Sequence, residues 1–555
     1  MNKKVCSFPI LFALLALLIG TCAVVFPASA QAAPTSTGSI TVSGTVARSY
    51  DAYQIFSANV VDGDSDSKIA TDLAWASDAV RDAALPVLHS AGMPNSQTTA
   101  QEAAEWLNTD SHLTSALSAQ LARSLQSSGA VFVALNAGTA AELPCGYWLI
   151  VADDDAIAQD EAGTAPIMAL VGGSAVTVKP KAATPKVAKH VLEDSTAAWQ
   201  KAADATVADD LYWRLSATVP AGLTAYDTYT VRFVDTMSAG LDPSKVAASM
   251  RVYVAAGADG GFDAVQTGKD GRAGTDPAKG WTDITAQCAT KVAADGTFTV
   301  RTGDLIAALG GADAFTAGAR VVAVYNAPLN SACNHGIAKG NPNEVYLRYP
   351  RSPFADQSGD AGFTRTPSDD ACAYTWDLAL TKRGSDGDRP LAGAVLSIAD
   401  DRGRTLAADG TWDAEGKATV TTGEDGRVTV SGVDSGKLEV RELKAPKGYT
   451  AFEGTRSVTV KAEGLDVDQV AAAKPKLTIT AESPLRADSA DGSTGSLEAS
   501  LINTPTGTPP SITTGGFMPS TGDMAMYAAA AAAVAGAALI VVALLVKRGG
   551  GSHKE

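Results

Sequence analysis

Most of this chain consists of short stretches in which apolar and polar residues alternate, separated by turns rich in glycine and aspartate. Residues 39–42 and 427–430 are examples. Alternation with a period of two is typical of β-strands that bury one face, and turns of this composition end such strands. The chain has 555 residues, which is enough for three or four domains. We therefore predict an all-β protein built from tandem β-sandwich domains.

One part of the first domain departs from this alternation. Residues 101–107 and 113–125 are rich in alanine, leucine and serine, and a Thr-Thr pair that can cap a helix precedes the first of them. A sequence pattern typical of β-strands returns at residues 131–135 and 146–151. We expect a helical insertion in the first sandwich.

The N-terminus has the organisation of a secretion signal. Lys3 and Lys4 precede an apolar stretch at about residues 8–25, and residues 28–30 form a small-x-small cleavage site. The sequence therefore predicts that residues 1–30 are removed and that the mature chain is secreted.

Four cysteines remain after this removal, outside the reducing cytosol. An even number makes disulfides candidates, and three pairings are open. The residues are Cys145, Cys288, Cys333 and Cys372.

The C-terminus contains an apolar run at about residues 525–546, followed by Lys547 and Arg548. A run of about 20 apolar residues can cross a membrane as a helix, and the basic pair behind it favours a cytoplasmic end. We predict a transmembrane anchor there.

A Met-Pro-Ser-Thr-Gly element precedes this run in a flexible Pro/Gly/Thr stretch. It resembles the cell-wall sorting signal of Gram-positive surface proteins, with methionine in place of the usual leucine. The resemblance implies that a sortase cuts between Thr and Gly; the alternative is an ordinary membrane anchor behind a chance motif. The element comprises Met518, Pro519, Ser520, Thr521 and Gly522.

Residues 176–181 read as a strand that ends in a proline-flanked lysine. Such a lysine stands on a stiff, exposed loop between domains. The segment resembles the pilin motif, whose lysine accepts the sortase acyl group from the next subunit. The resemblance implies Lys181 as acceptor, with Lys179 or Lys186 as the fallback; a solvated basic loop is the alternative.

The last third of the chain carries the most specific motif. A Glu-x-x-Ala-Pro-x-Gly-Tyr element occupies residues 442–449. Segments whose sequence is typical of β-strands lie on either side of it, at residues 375–382, 390–398 and 500–504. This order resembles the collagen-adhesin B-type domain of Gram-positive pilins and adhesins, and residues 50–56 with 144–150 resemble the N-terminal domain of fimbrial backbone subunits. The resemblance implies immunoglobulin-like sandwiches. The expected division is a signal peptide at 1–30, an N-terminal domain at 31–181, a middle domain at 182–367, a collagen-adhesin B-type domain at 368–505, a linker at 506–517 and a sorting signal at 518–555.

The same resemblance implies an intramolecular isopeptide bond between Lys382 and Asn503, assisted by Glu442. A lysine desolvated in an apolar core has a lowered pKa, so that its amine is neutral and nucleophilic. A buried carboxylic acid can stay protonated and donate to the amide oxygen. This reaction runs once and releases ammonia, so it is self-modification rather than turnover.

In the middle domain, the resemblance places a reactive lysine at Lys189 and an acid at Asp235. The segment at residues 349–353, where the family has its asparagine, contains none. The two residues could therefore form an ordinary salt bridge, unless the register differs and another asparagine takes part. The candidates are Asn326, Asn330, Asn341 and Asn343.

Other classes of function find little support. The net charge of −16 argues against a nucleic-acid partner. The histidines lack zinc-like spacing, and neither a nucleophile elbow nor a phosphate loop is evident. The acidic turn at residues 62–68 lacks the glycine and glutamate of a calcium loop, since Ser67 and Leu73 occupy those positions. We expect no enzyme, no metal and no cofactor.

The whole pattern resembles the major, or backbone, pilin of sortase-assembled Gram-positive fimbriae. The resemblance implies a subunit of a covalent fibre on the cell wall. Its partners would be a pilin sortase, a housekeeping sortase, identical subunits and peptidoglycan, with minor pilins and host surface ligands as further candidates. The alternative is a monomeric wall-anchored adhesin or minor pilin that binds a host glycan or matrix protein.

Overall fold

The computed structural model describes residues 36–507 with short gaps, namely 45–47, 65–66, 110–111, 154–156, 158–159, 181–183, 222–223, 269–271, 312–313 and 315–316. The expected signal peptide, Lys181, the sorting motif and the apolar run at 525–546 lie outside the described residues.

The first domain combines strands with a group of helices. Its elements are β1 (Thr37–Val42), β2 (Ser49–Asp62), β3 (Lys68–Trp75), α1 (Asp78–Ser90), α2 (Ala100–Asn108), α3 (Ser115–Ser128), β4 (Val133–Asn136), β5 (Ala140–Pro144), β6 (Gly146–Ala152), β7 (Ile167–Val171) and β8 (Val176–Val178).

Two sheets and the helices form this domain. The small sheet has the order β5-β1-β8; the large one has the order β3-β2-β6-β7, with β4 also paired to β2. Ile40, Trp148 and Ile150 belong to the core shared by the sheets, while Phe56 and Leu149 pack with the helices. The helical insertion lies between β3 and β4 as expected. It begins earlier in the chain than predicted, because it also contains α1, which the prediction lacked.

The second domain is a larger set of strands with two single-turn helices. Its elements are β9 (Lys186–Glu193), β10 (Ala198–Gln200), β11 (Ala202–Asp204), β12 (Tyr212–Val219), β13 (Arg232–Met237), α4 (Val246–Ser249), β14 (Arg251–Ala256), β15 (Val265–Thr267), β16 (Ala273–Pro277), β17 (Thr282–Asp283), β18 (Ala289–Val292), β19 (Thr297–Arg301), α5 (Leu305–Ala308), β20 (Ala319–Asn326), β21 (Asn341–Pro350), β22 (Phe363–Arg365) and β23 (Asp369–Tyr374).

Its two main sheets face each other across one core. One sheet has the order β10-β9-β12-β20-β14-β17, and the other has β11-β23-β21-β13-β19-β18 with β22 beside β21. Trp213, Phe233 and Tyr349 are among the fully buried side chains between them. Strand β23 pairs with β21 and β11, so strand pairing in this domain continues to Tyr374, beyond the expected boundary at residue 367.

The third domain follows directly. Its elements are β24 (Trp376–Gly384), β25 (Val395–Ala399), β26 (Thr405–Leu406), β27 (Trp412–Asp413), β28 (Val420–Thr421), β29 (Arg427–Val433), β30 (Gly436–Lys444), β31 (Tyr449–Thr450), β32 (Thr455–Glu463), β33 (Lys476–Ala481), β34 (Leu485–Asp491) and β35 (Ser496–Pro505).

These strands again form two facing sheets. One contains β29-β24-β35-β31 with β34 beside β35; the other contains β27-β26-β25-β30-β32-β33 with β28 beside β25. The first strand, β24, and the last, β35, are parallel neighbours. The two ends of the domain therefore leave from adjacent strands.

All four cysteines in the described chain are free thiols, so none of the expected disulfide pairings is formed. The reason is their placement. Cys145, Cys333 and Cys372 belong to three different hydrophobic clusters, and Cys288, which shares a cluster with Cys333, directs its thiol to the carbonyl of Ile284.

A search of the helices in the described ranges finds none with the length and apolarity needed to cross a membrane.

Candidate functional site

Lys382 occupies a core position because of the phase of its strand. Along β24 the side chains of Trp376, Leu378 and Leu380 point inward, and alternation places Lys382 on the same face. Its exposed fraction is 0%. A lysine is almost never found fully buried without a partner, so this position identifies a special site.

Two further polar side chains reach this lysine from other strands. Glu442 lies on β30 of the opposite sheet, in phase with the buried Val440. Asn503 lies on β35 beside β24, where its register partner is Gly384. The three residues that the resemblance implies are therefore brought together in the core of the third domain.

The carboxyl group of Glu442 stands between the other two groups. Its Oε1 is 3.6 Å from Lys382 Nζ and accepts a hydrogen bond of 2.9 Å from Asn503 Nδ2. Lys382 Nζ also donates to the carbonyl of Leu501 at 3.3 Å, while Phe452 N donates to Glu442 Oε2 at 3.1 Å. The amine, the acid and the amide thus form one contiguous buried group.

Burial controls the chemistry of this group. Desolvation lowers the pKa of Lys382 to about 8, against the opposing effect of Glu442. Asn503 Oδ1 is buried and has no hydrogen-bond partner among the described residues. Since the two ends of an amide are nearly alike in shape, a half-turn of this side chain would present Oδ1 to a protonated Glu442.

A second buried lysine lies in the core of the second domain. Lys189 on β9 and Asp235 on β13 come from opposite sheets, and both have an exposed fraction of 0%. Lys189 Nζ forms a short contact with Asp235 Oδ2. Desolvation lowers the pKa of Lys189 to about 8 and raises that of Asp235, so burial drives both groups toward their neutral forms.

Asn343 and Tyr325 complete this second group. The Tyr325 hydroxyl accepts hydrogen bonds of 2.9 Å from both Lys189 Nζ and Asn343 Nδ2, and it donates to Asp235 Oδ2 at 3.1 Å. Asp235 and Asn343 lie on paired strands, two register positions apart. The group therefore contains the same three chemical functions as the first site, with an added phenol.

The structure distinguishes among the four candidate asparagines. Asn341 is fully buried, but both ends of its amide are bonded to backbone atoms. Asn326 bonds to Asp210, and Asn330 bonds to the backbone of Ala239 and of Ala332. Asn343 is the one that contacts the Lys189 group, and its Oδ1 has no hydrogen-bond partner within the described chain.

Sequence reasoning did not find Tyr325 and left Asn343 as one of four candidates. A signal for Asn343 existed, because it alternates in phase with Val345, Leu347 and Tyr349, which are all buried. Asn341 has the same phase, so alternation alone could not separate the two.

The expected acceptor lies outside the described residues, but its fallback does not. Lys179 is exposed directly after β8, and Lys186 is exposed at the start of β9. Within the described part of the chain, no group of three His, Cys, Asp or Glu residues could hold a metal ion.

Comparison with known proteins defines the class of the third domain. Residues 377–474 match the family described as the SpaA prealbumin-like fold domain. This match covers β24 and β30, which carry Lys382 and Glu442.

One curated protein is similar in sequence to part of this chain. The trypsin-resistant surface T6 protein of Streptococcus pyogenes serotype M6 is 30% identical over 143 residues. That alignment covers 24% of this chain and 24% of the relative, so the chain spans about a quarter of the length of the curated relative that it matches. The predicted resemblance to Gram-positive backbone pilins is confirmed.

Among solved structures, the T6 backbone pilin of serotype M6 S. pyogenes aligns with a TM-score of 0.47 and 16% identity, over 86% of this chain and 100% of that one. The full-length major pilin SpaD of Corynebacterium diphtheriae aligns with a TM-score of 0.41 and 15% identity, over 85% of this chain and 98% of that one.

Proposed function

We propose that this chain is the shaft subunit of a covalently polymerised pilus that is anchored to a Gram-positive cell wall. The observation that carries the proposal is the buried group of Lys382, Glu442 and Asn503. A fully buried amine, acid and amide in contact serve poorly as a stabilising ion pair, because desolvation opposes the Coulomb attraction. They are well suited to form a permanent bond.

The reaction in the third domain needs only these three side chains. A proton passes from the lysine ammonium to the Glu442 carboxylate, and the lowered pKa of Lys382 favours the neutral amine that remains. The neutral Nζ of Lys382 attacks Cγ of Asn503, and the protonated acid donates to the amide oxygen. Glu442 then takes a proton from Nζ and passes it to Nδ2. The C–N bond to Nδ2 breaks, and the oxygen returns its proton to Glu442 as the carbonyl re-forms. One isopeptide bond forms and one ammonia leaves.

The same reaction in the second domain joins Lys189 to Asn343, with Asp235 as the acid. The Tyr325 hydroxyl holds the amine and the amide on one oxygen, and it must move aside as Nζ approaches Cγ of Asn343. This bond crosses the sandwich, since β9 and β21 belong to opposite sheets.

Both bonds suit a chain under tension. Lys382 and Asn503 lie on the first and last strands of the third domain, which are neighbours. A pull that enters at β24 and leaves at β35 passes through this bond and bypasses the intervening strands. The second bond likewise links β9, where the second domain begins, to β21 near its end.

Assembly uses the two ends of the mature chain. A pilin sortase cuts after Thr521 and transfers its acyl group to Lys181 of a neighbouring subunit, releasing the enzyme thiol. Repetition gives the fibre, and a housekeeping sortase joins its base to peptidoglycan. The exposed position of Lys179, at the point where the chain leaves β8, supports an accessible lysine loop there.

An immunoblot of muramidase-released wall extract, boiled in SDS and reductant, tests this function. We expect a high-mass ladder that collapses in a Lys181→Ala strain and persists in the matched Lys179→Ala strain. A single subunit-sized band in all strains would refute the polymer and leave the wall-anchored adhesin.

A further inference from the structure

The most exposed apolar segment of the described chain lies in the first domain, between α3 and β4. The exposed fractions of three consecutive residues, Val131, Phe132 and Val133, are 87%, 46% and 40%. Ala134 is exposed as well. A run of this kind on a soluble surface marks an interaction site more often than a chance cluster.

This segment is also a sheet edge. Within the described residues β4 pairs with β2 alone, through the register Ala52↔Val133 to Ser49↔Asn136. Its other side therefore presents backbone N–H and C=O groups without a strand neighbour. Natural proteins usually protect such an edge with charged residues or proline, yet residues 124–141 contain neither.

The edge ends close to the lysine loop. Directly after β4, Gly138 N donates to the carbonyl of Val42 at 2.8 Å. Val42 is the register partner of Val178, and Ser43 N donates to the carbonyl of Val178 at 2.7 Å. With strands about 4.8 Å apart, the end of β4 lies roughly 10 Å from the point where the chain leaves β8 toward Lys179.

The chain beyond β35 contains a segment that matches this edge. Residues 511–518, Ser-Ile-Thr-Thr-Gly-Gly-Phe-Met, carry no charge and lie between Pro510 and Pro519. None of these residues is proline, so each carries a backbone N–H donor, and isoleucine and threonine favour extended backbone. Neither partner would bury a charge on pairing.

The length of chain between this segment and Thr521 limits how the segment can bind to the edge of β4. A residue four positions before Thr521 can lie at most about 14 Å from it, which exceeds the roughly 10 Å between the end of β4 and the point where the chain leaves β8. A segment tethered there by Thr521 would run from the Val131 end of the edge toward the Asn136 end. Its direction would then be parallel to β4.

We propose that residues 511–517 of one subunit add as a parallel strand to the free edge of β4 in the next subunit, and cover Val131, Phe132 and Val133. This inference rests on the proposed function, since the tether is the bond between Thr521 and the lysine loop. Main-chain hydrogen bonds supply the affinity, and the apolar side chains supply the specificity.

Hydrogen exchange on purified fibres and on the sortase-free mature chain tests the proposal. We expect the amides of residues 131–136 to exchange at least ten-fold more slowly in fibres. A Val131→Lys/Val133→Lys double variant should lose this protection, whereas Val61→Lys and Val292→Lys, which alter exposed valines elsewhere, should keep it. Equal exchange of residues 131–136 in fibre and monomer would overturn the proposal while leaving the polymer intact.

A synthetic peptide of residues 508–521 separates this proposal from the proposed function. If no fibre forms, the peptide should still slow exchange at residues 131–136 of the monomer, and a scrambled peptide should not. No slowing by the native peptide would overturn the docking surface. Protection that appears in the monomer at high concentration, together with a doubled mass, would assign the edge to a second copy of β4 and would also overturn the proposal.

Discussion

The carboxyl group of Asp204 in the second domain forms a hydrogen bond with the carboxyl group of Asp434 in the third. Asp434 is also bonded to Asp194. A hydrogen bond between two carboxyl groups requires a proton on one of them. Asp204 Oδ2 accepts further hydrogen bonds from Trp376 Nε1 at 2.7 Å and from Ser435, so carboxyl groups of both domains meet at their junction.

This junction predicts a stability that falls as the pH rises. Desolvation, followed by the charge of Asp204, raises the pKa of Asp434 well above its ordinary value and raises that of the adjacent Glu193 from 4.5 to about 8. The folded chain therefore keeps protons that the unfolded chain has released, and it loses stability from about pH 4.5 up to about pH 8. The nearby cation Arg402, 3.5 Å from Asp194, opposes this trend only in part.

Calorimetry between pH 5 and pH 9 measures the effect, which should reach at least about 1 kcal/mol, or a few degrees in Tm. An Asp434→Asn variant should show a flatter profile, because the amide donates without titrating. A parent profile that is flat or rises over this range would contradict the proton-sharing junction.

Replacing Glu442 by glutamine should prevent the bond in the third domain while keeping the shape of the core. The variant should retain one more ammonia in its intact mass than the parent. Because a loop of about 120 residues is no longer closed, the free energy of unfolding should fall by about 4–5 kcal/mol. Glu439→Gln, on an exposed position of the same strand, is the matched control. A variant whose mass differs from that of the parent only by the Glu→Gln substitution itself, with the same number of ammonia losses, would disprove this cross-link.

The bond in the second domain predicts a second ammonia loss that depends on Asn343. The parent chain should lose two ammonia molecules, Asn343→Ala one, and Asn330→Ala two. Intact mass spectrometry counts the losses, and the branched peptide that joins Lys189 to Asn343 locates the second bond. A single loss from the parent would leave Lys189 and Asp235 as a buried ion pair.

The cysteines predict the response to thiol reagents. Burial raises the pKa of Cys288, Cys333 and Cys372 to about 11, so their thiols stay protonated at neutral pH. We expect almost no reaction with a disulfide reagent in the folded protein at pH 7. Four thiols per mature chain should react after denaturation without reductant, and two or none would show that disulfides form in the secreted chain.

Alternation and motif order sufficed for much of the fold. Alternation predicted the all-β architecture, and helix-favouring composition behind a capping pair predicted the helical insertion. The meeting of Lys382, Glu442 and Asn503 was implied by the resemblance to the collagen-adhesin B-type domain. Helix α1 was not predicted, although its buried residues Val80, Ala83, Ala84 and Leu88 follow a helical period; its internal proline disfavours a helix.

The buried group around Lys189 could be predicted from the sequence only in part. Tyr325 reads as an ordinary core aromatic on β20, and only the packing of two sheets brings its hydroxyl between Lys189 and Asn343. The carboxyl cluster at the domain junction could not be predicted from the sequence either, because Asp204 and Asp434 are far apart in the chain. Contacts between sheets and between domains depend on register and docking, which local patterns do not encode.

The branched peptide between subunits is the most direct evidence for a covalent fibre. Fibres released from the wall are digested with a protease, and peptides that carry two N-termini are sequenced by mass spectrometry. We expect a peptide in which the carbonyl of Thr521 is joined to Nζ of Lys181. A wall fraction in which Thr521 is joined only to peptidoglycan, without any bond between subunits, would contradict it.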